Sequence, residues 1–321
     1  MLIMKTRLKT LFFRLYKFLK RLISFNKNKN EINLLYRILY DQVHDLNESM
    51  EIVLKKNTQE TFAKQWKQYK DGYYLLSDPW FKKNLTRIIC EEEILIKPEW
   101  FKGKEILDAG CGNGRWTHGL CKLEAKVTSV DINIEAIEEA KRGTEELHNK
   151  PQFVNTSLEN IKEKVNGSFD LVFSWGVLHH CKSFNQSLNN LASLVKEGGI
   201  IYLYLYGRET NSMEEDLDLF KKRVHYNLML DEEEQYRFLY EEANGDITRI
   251  HNLHDNYAPL VNRRHEFEDI KERLYELGFN SVLRTIDHSE LFIRAFKGDF
   301  KDTNYLLNPK KPPYWFQHHK Y

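Results

Sequence analysis

Cysteine is scarce in this chain: Cys90, Cys111, Cys121 and Cys181 are its four, and none forms a Cys-x-x-Cys pair. That spacing argues against a disulfide framework or a zinc ribbon and fits a reducing, cytoplasmic setting. Long apolar runs are also missing. No stretch approaches the roughly 18 residues that cross a bilayer, and the N-terminus lacks the uncharged apolar core of a signal peptide. There is no internal repeat, and no low-complexity tract beyond a short Lys/Asn run. Acidic residues are absent from positions 1–30, which hold nine Lys/Arg; the remainder keeps 39 basic against 47 acidic residues, a balance of −8. An acidic body argues against broad nucleic-acid binding by the main domain.

What is present suits a globular chain. With 321 residues, 41% hydrophobic and 13% aromatic, the chain can bury a core for one large α/β domain plus extensions. Residues 1–25 set Leu8, Leu11, Phe12, Leu15, Phe18, Leu19 and Leu22 at helical spacing, with Arg7, Arg14, Lys17 and Arg21 largely elsewhere on the wheel. This is a basic amphipathic helix. It is suited either to docking peripherally on an anionic membrane at its inner face or to packing on protein, and 26–30 follow as a linker. A second helical region covers 31–56, and an aromatic-rich one, with Trp66, Tyr73, Tyr74, Trp80 and Trp100, covers 61–100. Together 31–102 form a helical extension and candidate lid, with core packing the leading role for most of its rings.

From Gly103 the pattern alternates strand and helix, as a parallel sheet with crossover helices requires. Strands are expected at 104–109, 126–131, 151–155, 169–174, 199–206, 280–286 and 290–296, with helices near 115–122, 133–148, 184–196 and 266–278. Only Asp287-His288-Ser289 separate the last two strands, too short a link for a crossover, so that pair is expected to be antiparallel. A charged, helical insertion, 207–265, interrupts the domain at 103–297 on the ligand side of the sheet, and a tail, 298–321, follows. Its PKKPPYWFQHHKY segment could dock on the body or on a partner.

Gly110, Gly112 and Gly114 stand where the first strand reverses into a helix, which calls for positive φ and backbone a ligand can approach. Asp131 closes the next strand at the same sheet edge, placed to accept hydrogen bonds from a ribose diol. Together these describe a nucleoside site. Arg115 stands where a dinucleotide fingerprint wants its third glycine.

The succession ILDAGCGNGR, VTSVDIN, FDLVFSWGVLHH and LVKEGGIIYLYLYG, from 106 to 207, resembles the motif order of the class I S-adenosylmethionine-dependent methyltransferases. The resemblance covers about residues 60–297. It implies an α/β, Rossmann-like fold: a seven-stranded, mostly parallel sheet with an antiparallel last strand and helices on both faces. The cofactor it implies is S-adenosylmethionine. Asp108 and the 110–114 loop would flank its methionine part, Asp131 its ribose, and Ile132, Ser157 and Leu158 its adenine, Ser157 standing where the family often has a carboxylate. Ser174 and Trp175 would lie by the reactive methyl. His179 and His180 are candidate general bases, or alternatively only orient the following helix or hydrogen-bond a backbone group. His254, Asp255, Tyr257 and Arg264 are candidate acceptor contacts. His251, His254, Asp255 and His265 lack the spacing of a metal site, and none is expected. The acceptor implied is a small molecule, lipid head group or glycan, with a tRNA-modifying enzyme and a non-catalytic cofactor-binding subunit as the alternatives.

Overall fold

The computed structural model describes residues 48–69, 74–208, 213–229 and 231–318. The expected basic helix at 1–25 and its linker lie outside these residues.

Seven strands form one sheet: β1 (Glu105–Ala109), β2 (Lys126–Asp131), β3 (Gln152–Asn155), β4 (Phe169–Trp175), β5 (Val195–Leu205), β6 (Phe279–Ile286) and β7 (Leu291–Lys297). Their order is β3-β2-β1-β4-β5-β7-β6. The first five are parallel, and β7 is antiparallel to both β5 and β6. The expected fold is therefore the observed one. Strand order reverses between β1 and β4, so a crevice opens beyond the carboxyl ends of these strands, where open α/β sheets take their ligands.

Nine helices, α1 to α9, are described. On the sheet faces lie α3 (Arg115–Lys122), α4 (Ile134–Thr144), α5 (Phe184–Ser193) and α9 (Phe267–Glu276). Their starts follow capping chemistry: Asn133 accepts from Glu135 N–H and Ser183 from Gln186 N–H. One apolar layer packs Ile106, Phe173, Ile200 and Tyr202 against α2 (Pro79–Ile88) and the turn after it. The opposite layer joins Leu107, Val172, Ile201 and Ile293 to α5 and α9.

Over the crevice sits a cap of α1 (Glu48–Gln68), α6 (Met213–Leu228), α7 (Glu232–Glu242) and α8 (Ile250–Tyr257). It closes around Tyr69, Tyr226, Leu239, Ile250 and Tyr257. Several boundaries differ from expectation, two of them for a plain physical reason. The separate helical regions ending at 56 and beginning at 61 are one helix, because Glu48–Gln68 contains no Gly or Pro to break it. β5 starts at Val195 rather than 199: the expected helix at 184–196 ends at Ser193, and Gly198-Gly199 form a bulge inside the strand, between the Phe169–Val195 and Leu171–Ile200 pairings.

Candidate functional site

A cavity of about 400 Å³ opens at the carboxyl edge of the sheet, between the strand ends, the cap and the C-terminal tail. Its floor is the loop after β1. Gly110 and Gly112 adopt φ of +88° and +54°, in the left-handed region. A Cβ at Gly110 would lie 2.3 Å from Val177 Cγ2, and one at Gly112 would lie 2.8 Å from Trp66 Cζ2 on α1. The bare backbone thus admits the loop after β4 and Trp66 of α1. Gly114 serves packing instead: it caps α3, and a Cβ there would meet Ala140 of α4 at 2.7 Å.

Asp131 fixes this floor. Its Oδ2 accepts from Gly112 N–H at 2.9 Å and its Oδ1 from Asn133 N–H at 2.8 Å. A carboxylate has about four acceptor sites, so capacity remains for a diol. Burial pushes its carboxyl above the usual range, against the pull of these N–H groups. Ile132, Ser157 and Leu158 continue the wall from the ends of β2 and β3. The cavity thus brings together Gly110, Gly112, Asp131, Ile132, Ser157, Leu158 and Trp175.

Asp108 and Ser174 do not reach it. Asp108 is buried behind the loop, where it accepts from Thr117 Oγ1 at 2.6 Å, and burial raises its carboxyl to about 7. Ser174 donates to Ala109 O at 3.0 Å and ties β4 to β1.

The two adjacent histidines separate. A short 3₁₀ turn, Leu178–His180, places His180 on the cavity wall and His179 behind it, stacked on Tyr206 at 3.9 Å. His180 Nδ1 lies 2.8 Å from Val261 O, an acceptor, so Nδ1 carries the proton and Nε2 of the neutral ring holds the lone pair. Among the described residues Nε2 has no hydrogen-bond partner, and it lies 3.7 Å from Asp255 Oδ1. Asp255 also accepts a hydrogen bond from Tyr206 Oη. Burial lowers the pKa of His180, with Asp255 opposing, so the ring is neutral at pH 7. Burial lowers His179 further, and neither of its nitrogens has a partner among the described residues.

Of the four expected acceptor contacts, only Asp255 lines the cavity. Positions 251, 252, 255 and 256 of α8 face inward, while His254 and Tyr257 lie on the opposite face. His254 packs between Tyr69 and Tyr226, and Tyr257 donates to Glu242 at 3.1 Å. Arg264 stands behind the wall, donating to Gly207 O at 3.0 Å and to Glu290 at 3.4 Å. Among the described residues no group of three His, Cys, Asp or Glu side chains is arranged to hold a metal.

Other residues that sequence reading did not assign complete the cavity. Arg115 lies within it, its guanidinium 4.6 Å from the Trp175 ring and donating to Tyr74 O at 3.0 Å. Among the described residues it forms no ion pair, and burial lowers its pKa to about 10. Tyr204 stacks on Trp175 at 4.1 Å, and Tyr206 follows on the same face of the chain, an alternation visible in YLYLYG. Glu290 and Phe292 come from the start of β7, which runs opposite and so begins at this edge. Trp315 and Phe316 come from the tail.

Residues 106–199 match the family model described as "Methyltransferase domain". Among curated proteins, the chain is 34% identical over 151 residues to the mitochondrial ubiquinone biosynthesis O-methyltransferase of Schizosaccharomyces pombe, covering 46% of this chain and 52% of that protein. It is 32% identical over 110 residues to the ubiquinone biosynthesis O-methyltransferase of Dechloromonas aromatica, covering 34% and 47%. The chain spans about half the length of these relatives. Among solved structures, magnesium protoporphyrin IX methyltransferase from Synechocystis PCC 6803 with bound SAM aligns over 77% of this chain and 97% of its own, at 18% identity and a TM-score of 0.47.

Proposed function

We propose that this chain, whose residues 106–199 match a methyltransferase domain, is a class I S-adenosylmethionine-dependent enzyme that methylates a hydroxyl group on a small aromatic acceptor. Its residues fit the cofactor. Asp131 would accept from the ribose hydroxyls, and Ile132 and Leu158 would enclose the adenine, with Ser157 beside it. The exposed backbone of Gly110 and Gly112 would face the methionine part, and Arg115, a cation that forms no ion pair among the described residues, would meet its carboxylate. When bound, S-adenosylmethionine supplies a sulfonium methyl already activated for displacement.

The protein's remaining tasks are to hold the acceptor oxygen in line and to take its proton. The observation that carries this reading is His180, a residue of the cavity wall whose buried Nε2 has no hydrogen-bond partner among the described residues. With Nδ1–H committed to Val261 O, Nε2 can accept the hydroxyl proton. Asp255 at 3.7 Å would then face an imidazolium, while Tyr206 holds Asp255 in place. Similarity to proteins named O-methyltransferases supports an oxygen nucleophile, and the ring-lined wall supports an aromatic carrier.

Incubation with S-adenosylmethionine and a set of mono- and dihydroxybenzenes tests the reading. A product heavier by one methyl, formed together with S-adenosylhomocysteine, is expected. Methylation of amines but not of hydroxyls in a matched set would overturn it.

A further inference from the structure

We propose that the C-terminal tail determines acceptor specificity, with Phe316, backed by the buried Trp315, forming the wall on which a flat aromatic ring lies. The inference rests on the methyltransferase reading above and adds to it the element that selects the acceptor.

The tail is fastened to the body along its length. Lys97 N–H donates to Tyr305 O at 2.9 Å and Leu307 N–H to Leu95 O at 3.0 Å, a strand-like pairing that includes the Ile96–Leu306 bridge. Trp100 Nε1 donates to Asp302 at 2.8 Å. At the far end, Trp315 N–H donates to Glu92 at 2.7 Å and Trp315 Nε1 donates to the buried Glu93. Tyr74 Oη, from the cap side of the cavity, donates to Phe316 O.

This fastening differs from mere cover for the core. Glu93 also accepts from Trp175 Nε1 at 3.2 Å and from Tyr202 Oη. One buried carboxyl therefore sets both the indole at the end of β4 and the indole of the tail, and the two rings lie 6.3 Å apart. Phe316 stays partly exposed on the cavity side, within 4° of parallel to Phe292.

The chemistry of this wall favours a flat ring over a sugar. Several of its polar atoms are already engaged: Glu290 accepts from Gly207 N–H at 2.6 Å and from Arg264, and His288 Nδ1 accepts from Glu290 N–H at 3.1 Å. Beside His288 Nε2, the wall offers mainly ring face and ring edge, which aromatic ligands pair with in stacked or edge-on geometry.

The test is calorimetric titration of 2-naphthol, and separately of methyl glucoside, into the full chain saturated with S-adenosylhomocysteine. Phe316→Ala, Trp315→Ala and Trp315→Phe are compared with the unaltered chain, alongside melting curves. Naphthol affinity should fall at least tenfold in Phe316→Ala and Trp315→Ala and less in Trp315→Phe, which keeps a ring. Affinity for S-adenosylhomocysteine should stay within twofold. Naphthol affinity unchanged in Phe316→Ala, or binding of the glucoside but not of naphthol, overturns the inference. Failure of the unaltered chain to bind S-adenosylhomocysteine instead overturns the underlying cofactor reading, so the two failures are distinct.

Discussion

Replacing Glu93 by glutamine should change how stability depends on pH, with an effect that follows from its surroundings. Glu93 is fully buried, and burial raises its carboxyl from 4.5 to about 7 despite hydrogen bonds from Tyr202, Trp315 and Trp175. Because the folded state holds the proton more tightly than the unfolded chain, the contribution is fully present below pH 4.5 and is lost as pH rises through 7. At about 1.4 kcal/mol per pH unit, the full window is worth about 3 kcal/mol, most of it between about pH 5 and 8. Asp108, raised to about 7, acts in the same direction. The buried His251 and His254, lowered to about 4 and about 3, act in the opposite one: they stay neutral in the fold while the unfolded chain takes up protons below about 6.5. The net slope of the unaltered chain is therefore a partial cancellation, and the informative quantity is the difference between two slopes. Urea unfolding at half-unit steps from pH 5 to 8, followed by tryptophan fluorescence, should show Glu93→Gln costing the fold most at pH 5. The gap should narrow by about 2–3 kcal/mol at pH 8. Parallel curves would refute a protonated Glu93 at the hub of the two indoles.

Two further outcomes test the site itself. His180→Gln should lower turnover by about 10²–10⁴, the usual worth of a general base, with cofactor affinity retained. His179→Gln should alter melting more than turnover, since that ring does not reach the cavity. Because His180 must be neutral to accept a proton and its pKa is lowered by burial, the rate of the unaltered chain should be level above pH 7 and fall only below about 6.5; a rate still rising at pH 8 would contradict this. Arg115→Met should weaken S-adenosylhomocysteine at least tenfold while leaving 5′-methylthioadenosine, which lacks the carboxylate, within twofold. Equal losses for both ligands would count against a carboxylate contact.

The fold and the half of the cavity proposed for the cofactor were legible in the sequence because both are local. Each strand and the turn after it are contiguous, so Gly110, Gly112, Asp131, Ser157 and Trp175 could be placed at one sheet edge from their positions alone. The acceptor half is assembled from remote segments. Tyr206 meets Asp255 across 49 residues, and Glu93 meets Trp315 across 222, pairings that no periodicity signals. Helical phase explains the rest. His254 and Asp255 are neighbours in sequence, but on α8 they project to opposite sides, one into the cap and one into the cavity, and only packing decides which. The two histidines of the 3₁₀ turn diverge for the same reason.

The central claim is that the cavity at the ends of β1 and β2 holds S-adenosylmethionine through Asp131. Calorimetric titration with S-adenosylhomocysteine tests it most directly. The unaltered chain should bind with micromolar affinity, and Asp131→Ala should lose about 100-fold, the worth of two hydrogen bonds to a charged acceptor, while keeping a cooperative melt. Equal affinity in the two chains would contradict the account, as would no binding by the unaltered one.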